Sequence, residues 1–442
     1  METIDILQET VDYIEERLKT DITADELSKF SGYSVYHLYH LFRTNIGMSL
    51  FSFITKRRLL HALYETQSGE KLISVCLNYG FDTHAGFYKA FKRQFGCSPT
   101  RYLQIRQVSR PKRYNLREEL MVMLTQAQVR QKINNNWDIK PISSIENGEV
   151  ADKKLYHLFH INDQYIFKAG KNISDIMTHI QIARFLNAKG IQVSSPVTTR
   201  KGEDFIITND GYEILLNKVI GKTLSTEERY VNNRIEIGKQ YGIAIGYLHQ
   251  ALNLENYELD VPTNNIVDTM INWALPETKL YMKQWEVNLP EEFYNDCTDH
   301  FRRLVAGLKK QVVHRDIHPS NIIFNKEKVS GFIDFEISER NVRIFDPCYC
   351  ATGMLSEAEL VENGYEHWLD LFKGIMTGYH AICPLTVEEK QSIIYIIYSI
   401  QCVFIAWLGD KEEYRKLSHT NRKMLYWLYQ NKNKIQLIID NL

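Results

Sequence analysis

The sequence predicts a multidomain chain of α and α+β parts: an all-α region with two helix-turn-helix units, then a region in which short strands give way to long helices. Three observations carry this. Residues 1–107 hold an internal repeat, SGYSVYHLYHLFRTNIGMS against YGFDTHAGFYKAFKRQFGCSP, each copy a glycine turn followed by an apolar i, i+3, i+4 stripe. From Ile139 the apolar period shortens to that of strands, with Tyr165-Ile166-Phe167-Lys168 following the turn signal Asn162-Asp163. The stretch from Gln311 to Glu336 sets a polar loop between apolar strands.

The 442 residues leave room for about two or three domains, and an apolar fraction of 44% with a formal charge of -1 is ordinary for a globular chain. The longest apolar candidate, Ile393 to Leu408, is interrupted by Ser399 and Gln401 and reads as a buried helix, so no membrane partner is expected. The opening METIDILQET is acidic where a secretory signal needs basic then apolar residues, which predicts a cytoplasmic protein. Seven cysteines without a Cys-x-x-Cys pair read as free thiols; Cys348 and Cys350 lack a second pair at zinc spacing. The near-zero charge hides an asymmetry. Residues 1–40 hold three Lys/Arg and nine Asp/Glu, whereas residues 41–107 hold ten and three, a net +7 that suggests a polyanion partner.

Element by element, Ile6, Val11, Ile14 and Leu18 recur at helical spacing, and Thr23 with Glu26 predicts a capping box opening a second helix. That helix stops at Ser31-Gly32-Tyr33, and the next runs from Ser34 to Gly47 with Leu38, Leu41 and Phe42 inward. A long helix, Leu50 to about Gln67, carries Lys56-Arg57-Arg58. The pattern then repeats as Leu72–Asn78, a turn at Tyr79-Gly80-Phe81-Asp82, and a helix from Thr83 to Phe95. Two such units on one connecting helix can lay two recognition helices in successive major grooves of DNA.

Gly80, Phe81, Phe87, Phe91, Lys92, Gly96, Ser98 and Pro99, with Arg57 and Leu59, resemble the signature of the AraC family of transcription regulators over roughly residues 3–106. The resemblance implies a double-stranded DNA operator as partner. It also implies base reading by Tyr36, His37 and His40 from the first recognition helix and by Thr83, His84 and Lys89 from the second, with Arg43, Lys92 and Arg93 on phosphates.

A basic, proline-bearing link, SRPKRY, ends this region, and residues 108–136 are expected to form a linker with a helix from Leu116 to Ile133. That helix either bridges the domains or serves as a dimer seam, which leaves a homodimer open.

In the Gln311–Glu336 stretch, His314-Arg315-Asp316 is followed five residues later by Asn321 and thirteen further on by Asp334. Phosphoryl transfer needs such a set: one carboxylate to orient the attacking hydroxyl, an amide and a second carboxylate to hold Mg2+ on nucleotide phosphates. The order matches the protein-kinase catalytic loop. However, His318-Pro319-Ser320-Asn321 and the ending Asp334-Phe335-Glu336 resemble the aminoglycoside phosphotransferase and choline kinase family more closely. That resemblance implies a bilobal protein-kinase-like domain over 137–442, with a small β-rich N-lobe at 137–219 and a large helical C-lobe at 220–442. It further implies Asp316 as the catalytic base and Asn321 and Asp334 as metal ligands. Lys168, Asn217, Val219 and His314 join Asn321 and Asp334 in a site for ATP or GTP, Asn217 and Val219 lying in the hinge segment. Tyr247-Leu248-His249 and Asp346-Pro347 are also family-like. Two features depart from the family: the hairpin Glu146-Asn147-Gly148-Glu149 has one glycine, and the helix Ile173 to Ala188 offers His179, Gln181 or Asp175 where an acid should meet Lys168.

The expected function is a DNA-binding regulator whose second domain binds a nucleotide with Mg2+ and a hydroxylated small molecule, as sensor or as working phosphotransferase. The alternative is a small-molecule kinase that uses its DNA-binding half for autoregulation. A protein kinase is disfavoured, since no Ala-Pro-Glu segment follows Asp334.

Overall fold

The computed structural model describes residues 3–33, 35–46, 48–67, 70, 72–95, 98–105, 110–116, 124–139, 141–147, 157–208, 211–231, 233–253, 259–285, 289–409 and 415–442. They fall into two compact units, residues 1–180 with 195–218, and residues 181–194 with 219–442.

The first unit opens with seven helices: α1 (Thr3–Glu16), α2 (Ala24–Ser31), α3 (Val35–Ile46), α4 (Leu50–Gln67), α5 (Leu72–Asn78), α6 (His84–Phe95) and α7 (Pro99–Ile105). Their apolar stripes meet in one core in which Leu7, Val11 and Ile14 of α1, Leu38 and Phe42 of α3, and Phe87 and Phe91 of α6 are fully buried. Thr23 caps α2 by accepting from the Glu26 amide at 3.2 Å. The expected reciprocal half of the capping box is absent because Glu26 accepts instead from the Tyr13 hydroxyl at 2.7 Å. Gly32 ends α2 with φ 71°, a left-handed residue that turns the chain toward α3.

Two of the basic residues in α4 point inward. Arg57 is buried, donating from Nη2 to Glu15 Oε2 at 3.0 Å and to the Lys112 carbonyl at 2.7 Å. Arg58 donates to the carbonyls of Leu18 and Thr20 at 3.0 and 2.7 Å, satisfying orphan acceptors beyond α1. The segment 110–116 lies along α1: Gln8 donates to the Tyr114 carbonyl, Leu116 N donates to Gln8 Oε1, and Arg113 pairs with Asp12 at 2.7 Å.

The single helix expected from Leu116 to Ile133 is interrupted. Leu124 and Thr125 are non-helical, and Thr125 with Gln128 makes a complete capping box that starts α8 (Gln126–Asn136). Val129 and Ile133 of α8, with Trp137, pack on a five-stranded antiparallel sheet of order β1-β2-β3-β5-β4. Its strands are β1 (Ile145–Asn147), β2 (His157–Ile161), β3 (Tyr165–Gly170), β4 (Ile206–Ile207) and β5 (Tyr212–Asn217). The cover hairpin keeps only Glu146 and Asn147 among the described residues; Gly148 and Glu149 lie outside them. Between β3 and β4 comes α9 (Ile173–Ala188), whose residues from Gln181 belong to the second unit.

In the second unit α10 (Arg234–Leu252) pairs tightly with α13 (Gly364–Ile382). A Cβ on Gly242 would lie 2.0 Å from the Ile375 carbonyl, and one on Gly378 would lie 2.3 Å from that of Lys239, so only hydrogen fits at the crossing. The helix expected from Glu291 to Lys310 ends earlier, as α11 (Glu291–Arg303), because Lys310 already begins β6 (Lys310–Val313). Strand β6 pairs with β9 (Glu339–Val342), and β7 (Ile322–Asn325) with β8 (Lys328–Phe332). α12 (Phe345–Leu355) precedes α13, and α14 (Val387–Leu408), α15 (Arg415–Gln430) and α16 (Lys432–Asp440) complete the unit. By length and composition α14 is apolar enough to cross a membrane, but 78% of its most apolar window is buried in this unit.

Glu15 supplies a test of the first core. Burial pushes its carboxyl up, but bonds to His61 and Arg57 outweigh that and leave it below its usual 4.5. The pair's stabilisation is therefore present above about pH 4.5 and lost as pH falls through the depressed value. Glu15→Gln, which strands the Arg57 guanidinium, is expected to destabilise this unit by about 3–5 kcal/mol at neutral pH and to flatten the acid limb of its denaturation curve, read by circular dichroism.

Candidate phosphotransfer site and nucleic-acid interface

Strand β6 delivers His314, Arg315 and Asp316 into a turn fixed from below by Asp346. This carboxylate, fully buried in the first turn of α12, accepts from the backbone amides of His314 at 2.7 Å and Arg315 at 3.0 Å, and meets His249 Nε2 at 2.9 Å. Burial alone would raise its pKa, but His249, with His314 and its backbone amide, holds it below the usual value. Arg315 takes a left-handed φ of 75°, unusual for a side chain of its size, and its guanidinium reaches Glu339 at 2.9 Å. The chain thereby turns so that Asp316 follows on the loop.

Both Asp316 oxygens have neighbours. Tyr349 donates its hydroxyl to Oδ1 at 2.9 Å, and Asn321 Nδ2 lies 3.3 Å from Oδ2 while donating to the Asp316 carbonyl at 2.7 Å. Ile333 N donates to the Asn321 carbonyl, which brings Asp334 (φ 65°) beside them. Burial first, and the charge of Asp334 second, push the Asp316 carboxyl up. Asp316, Asn321 and Asp334 are thus gathered in one place.

His314 needs correction as a nucleotide ligand: it is 0% exposed, and its Nε2 meets the Ile333 carbonyl at 2.9 Å, so it buttresses the Asp334 segment from behind. Tyr349 escaped the sequence reading. Its only signal there was its place three residues after Asp346.

In the first unit Lys168 sits in mid-β3, opposite Leu158 and Ile214, half-buried. Asp175 is in the first turn of α9, and His179 is buried. Asn217 closes β5, but its amide donates to the Ser195 carbonyl at 2.8 Å, so a base edge would have to meet the residues that follow. Val219, the first of these in the second unit, is buried. Gly221 (φ 131°) then lets Lys222 exchange backbone hydrogen bonds with Phe324; a Cβ there would lie 2.2 Å from the Phe324 carbonyl.

On the helical region, α6 exposes His84, Lys89, Lys92 and Arg93, the last three at i, i+3, i+4 spacing and away from buried Phe87, Phe91 and Phe95. Thr83 is exposed as well, but its hydroxyl accepts from Gly86 N at 3.0 Å and so caps the helix. On α3, His37 is half-buried and stacked on Tyr33 at 4.3 Å. The side chains of Tyr36, His40 and Arg43 lie outside the described residues.

Residues 27–105 match a family described as a helix-turn-helix domain, and residues 166–385 match the phosphotransferase enzyme family. The transcriptional activator AarP of Providencia stuartii is 36% identical over 98 residues, covering 22% of this chain and 73% of that protein. The chain joins an AraC-type DNA-binding domain to a phosphotransferase-family domain. Homoserine kinase of Mesorhizobium japonicum is 31% identical over 108 residues, 24% of this chain, and the match spans 32% of that protein's length. The solved microcompartment-associated aminopropanol kinase superposes with a TM-score of 0.51 at 12% identity, covering 71% of this chain and 100% of that one, which shows a common fold.

Within the phosphotransferase domain, Asp346→Ala removes the acceptor of two backbone amides and a histidine. It is expected to cost about 3–5 kcal/mol in urea denaturation of the second unit, because the buried donors are left unpaired.

Proposed function

We propose that this chain is a cytoplasmic transcription regulator of the AraC type whose phosphotransferase domain transfers the terminal phosphoryl group of a nucleotide to a small hydroxylated molecule. The observation that carries the reading is the hydrogen-bonded set of Asp316, Asn321 and Tyr349 beside Asp334. Asn321 Oδ1 and the Asp334 carboxylate are hard oxygen donors, a set that suits Mg2+. When bound, the ion would neutralise charge on the nucleotide phosphates. Asp316 accepts the proton of the acceptor hydroxyl, oriented by Tyr349 at Oδ1 and Asn321 at Oδ2. The partial likeness to homoserine kinase supports an amino alcohol as the acceptor class. In the AraC-type domain, His84, Lys89, Lys92 and Arg93 on α6 face a double-stranded operator, with His37 and its helix in a second groove.

Mixing the full chain with Mg-ATP or Mg-GTP and amino alcohols, aminoglycosides or sugars is expected to give phosphorylated product. Asp316→Asn should lower the rate by about 10²–10⁴-fold while keeping the nucleotide-dependent thermal shift. No turnover together with no such shift would sink the catalytic reading. In gel shifts over a salt series, Lys92→Ala and Arg93→Ala should each reduce the slope of log affinity against log salt by about one contact. Binding that ignores DNA sequence would count against regulation.

A further inference from the structure

The AraC-type helices and the first strands of the phosphotransferase domain share one compact unit, and one corner of the sheet touches the helical core directly. Tyr114 is the meeting point. Its carbonyl accepts from Gln8 of α1 at 2.9 Å, and its ring stands edge-on to Phe53 of α4 at 5.2 Å and 80°. Its hydroxyl accepts from Lys171 Nζ at 3.1 Å, and the same ammonium lies 5.5 Å from the ring centroid. A charged donor makes such a bond stronger than a neutral pair would. A second contact is apolar. Ile207 of β4 packs both against the helical core and against the cluster that Ile173, Ile176 and Ile214 form beneath α9.

Backbone packing fixes the place of Lys171. The residue follows β3 directly, three positions after Lys168, and a Cβ on Gly211 would lie 2.0 Å from the Gly170 carbonyl oxygen and 2.7 Å from Lys171 Cα. The turn into β5 is thus pressed on the end of β3 with no room for a side chain. On the other side Asn172, which is buried, accepts from Ser174 N at 3.2 Å and leads into α9. A shift of β3 or of the first turn of α9 therefore moves the ammonium that bonds Tyr114.

We propose that the β3–α9 corner is a docking surface for the AraC-type domain of the same chain, so that strands and helices open as one cooperative unit and a nucleotide bound against β3 stabilises the DNA-reading helices. The second half of this statement rests on the nucleotide reading above; the docking itself does not. A ligand that binds only the folded state shifts the folded-to-open equilibrium by the factor 1 + [L]/Kd, about a hundredfold at a hundred times its Kd. That factor reaches every element that opens together with the site. None of the docking side chains belongs to α6, so the lobe and a DNA duplex on Lys92 and Arg93 use different residues.

Amide hydrogen exchange of the full chain, with and without Mg2+ and the non-hydrolysable analogue AMP-PNP, tests both halves. With the analogue at saturation, amides of α1 and α4 are expected to slow at least about tenfold together with those of β3. Lys171→Met keeps the length of the stem and removes the ammonium. It should retain the slowing in β3 and lose most of it in α1 and α4, and Tyr114→Phe should act in the same direction. Without nucleotide, each variant should speed exchange in α1 and α4 at least about threefold. Slowing confined to β3, or slowing of α1 and α4 undiminished in both variants, overturns the coupling. Absence of slowing anywhere counts against the nucleotide reading alone; the docking is then decided by the nucleotide-free rates, and equal rates in all three chains overturn it.

Discussion

The phosphotransferase domain depends on one buried carboxylate. Asp346 has no solvent exposure, a placement that costs several kcal/mol unless the charge is met by donors. Two of its donors are consecutive backbone amides, those of His314 and Arg315, and two neighbouring amides converge on one anion only if the chain turns sharply. The left-handed Arg315 is that turn. Strain at Arg315 is thus balanced by the desolvated hydrogen bonds of Asp346, and the direction of Asp316 follows from both. His249, itself bonded to the Tyr379 hydroxyl, ties the same carboxylate to the crossing of α10 and α13, so the loop is anchored to a helix pair whose backbones meet at glycines.

Much of this was legible because the residues that carry the chemistry lie close in sequence. His314 to Asp334 spans a single strand, loop and hairpin, so spacing alone could suggest that Asp316, Asn321 and Asp334 converge. What spacing could not convey was which side of the loop each side chain takes. His314 and Asp316 are two residues apart, yet one faces the Ile333 carbonyl in the interior and the other lies on the Tyr349 hydroxyl. Tyr349 was invisible for a related reason: its role comes from helix α12 folding back beneath the loop, a tertiary contact with no local pattern.

In the AraC-type domain the repeat of glycine turns and phenylalanines was readable because helical periodicity is a strong local signal. Charge was less informative. The excess of basic residues between 41 and 107 includes Arg57 and Arg58, which satisfy a buried glutamate and backbone carbonyls and so leave less positive surface than a residue count implies. A guanidinium has five donors and can serve either purpose, and only its surroundings decide. The interrupted helix at Leu124 shows the same limit: apolar spacing ran through it, while the Thr125 capping box, equally present in the sequence, marked the real start.

The segment 110–116 bears on how the protein can be taken apart. Arg57, in the middle of the helical core, donates to the carbonyl of Lys112, and Leu116 is fully buried against the same core. A fragment cut where the sequence repeat stops, at residue 107, would forfeit both, leaving an interior guanidinium short of an acceptor and an apolar socket open to water. Any dissection meant to isolate the DNA-binding helices should therefore carry the chain through Leu116, and a truncated piece that behaves poorly would report a missing strap before it reported anything about operators.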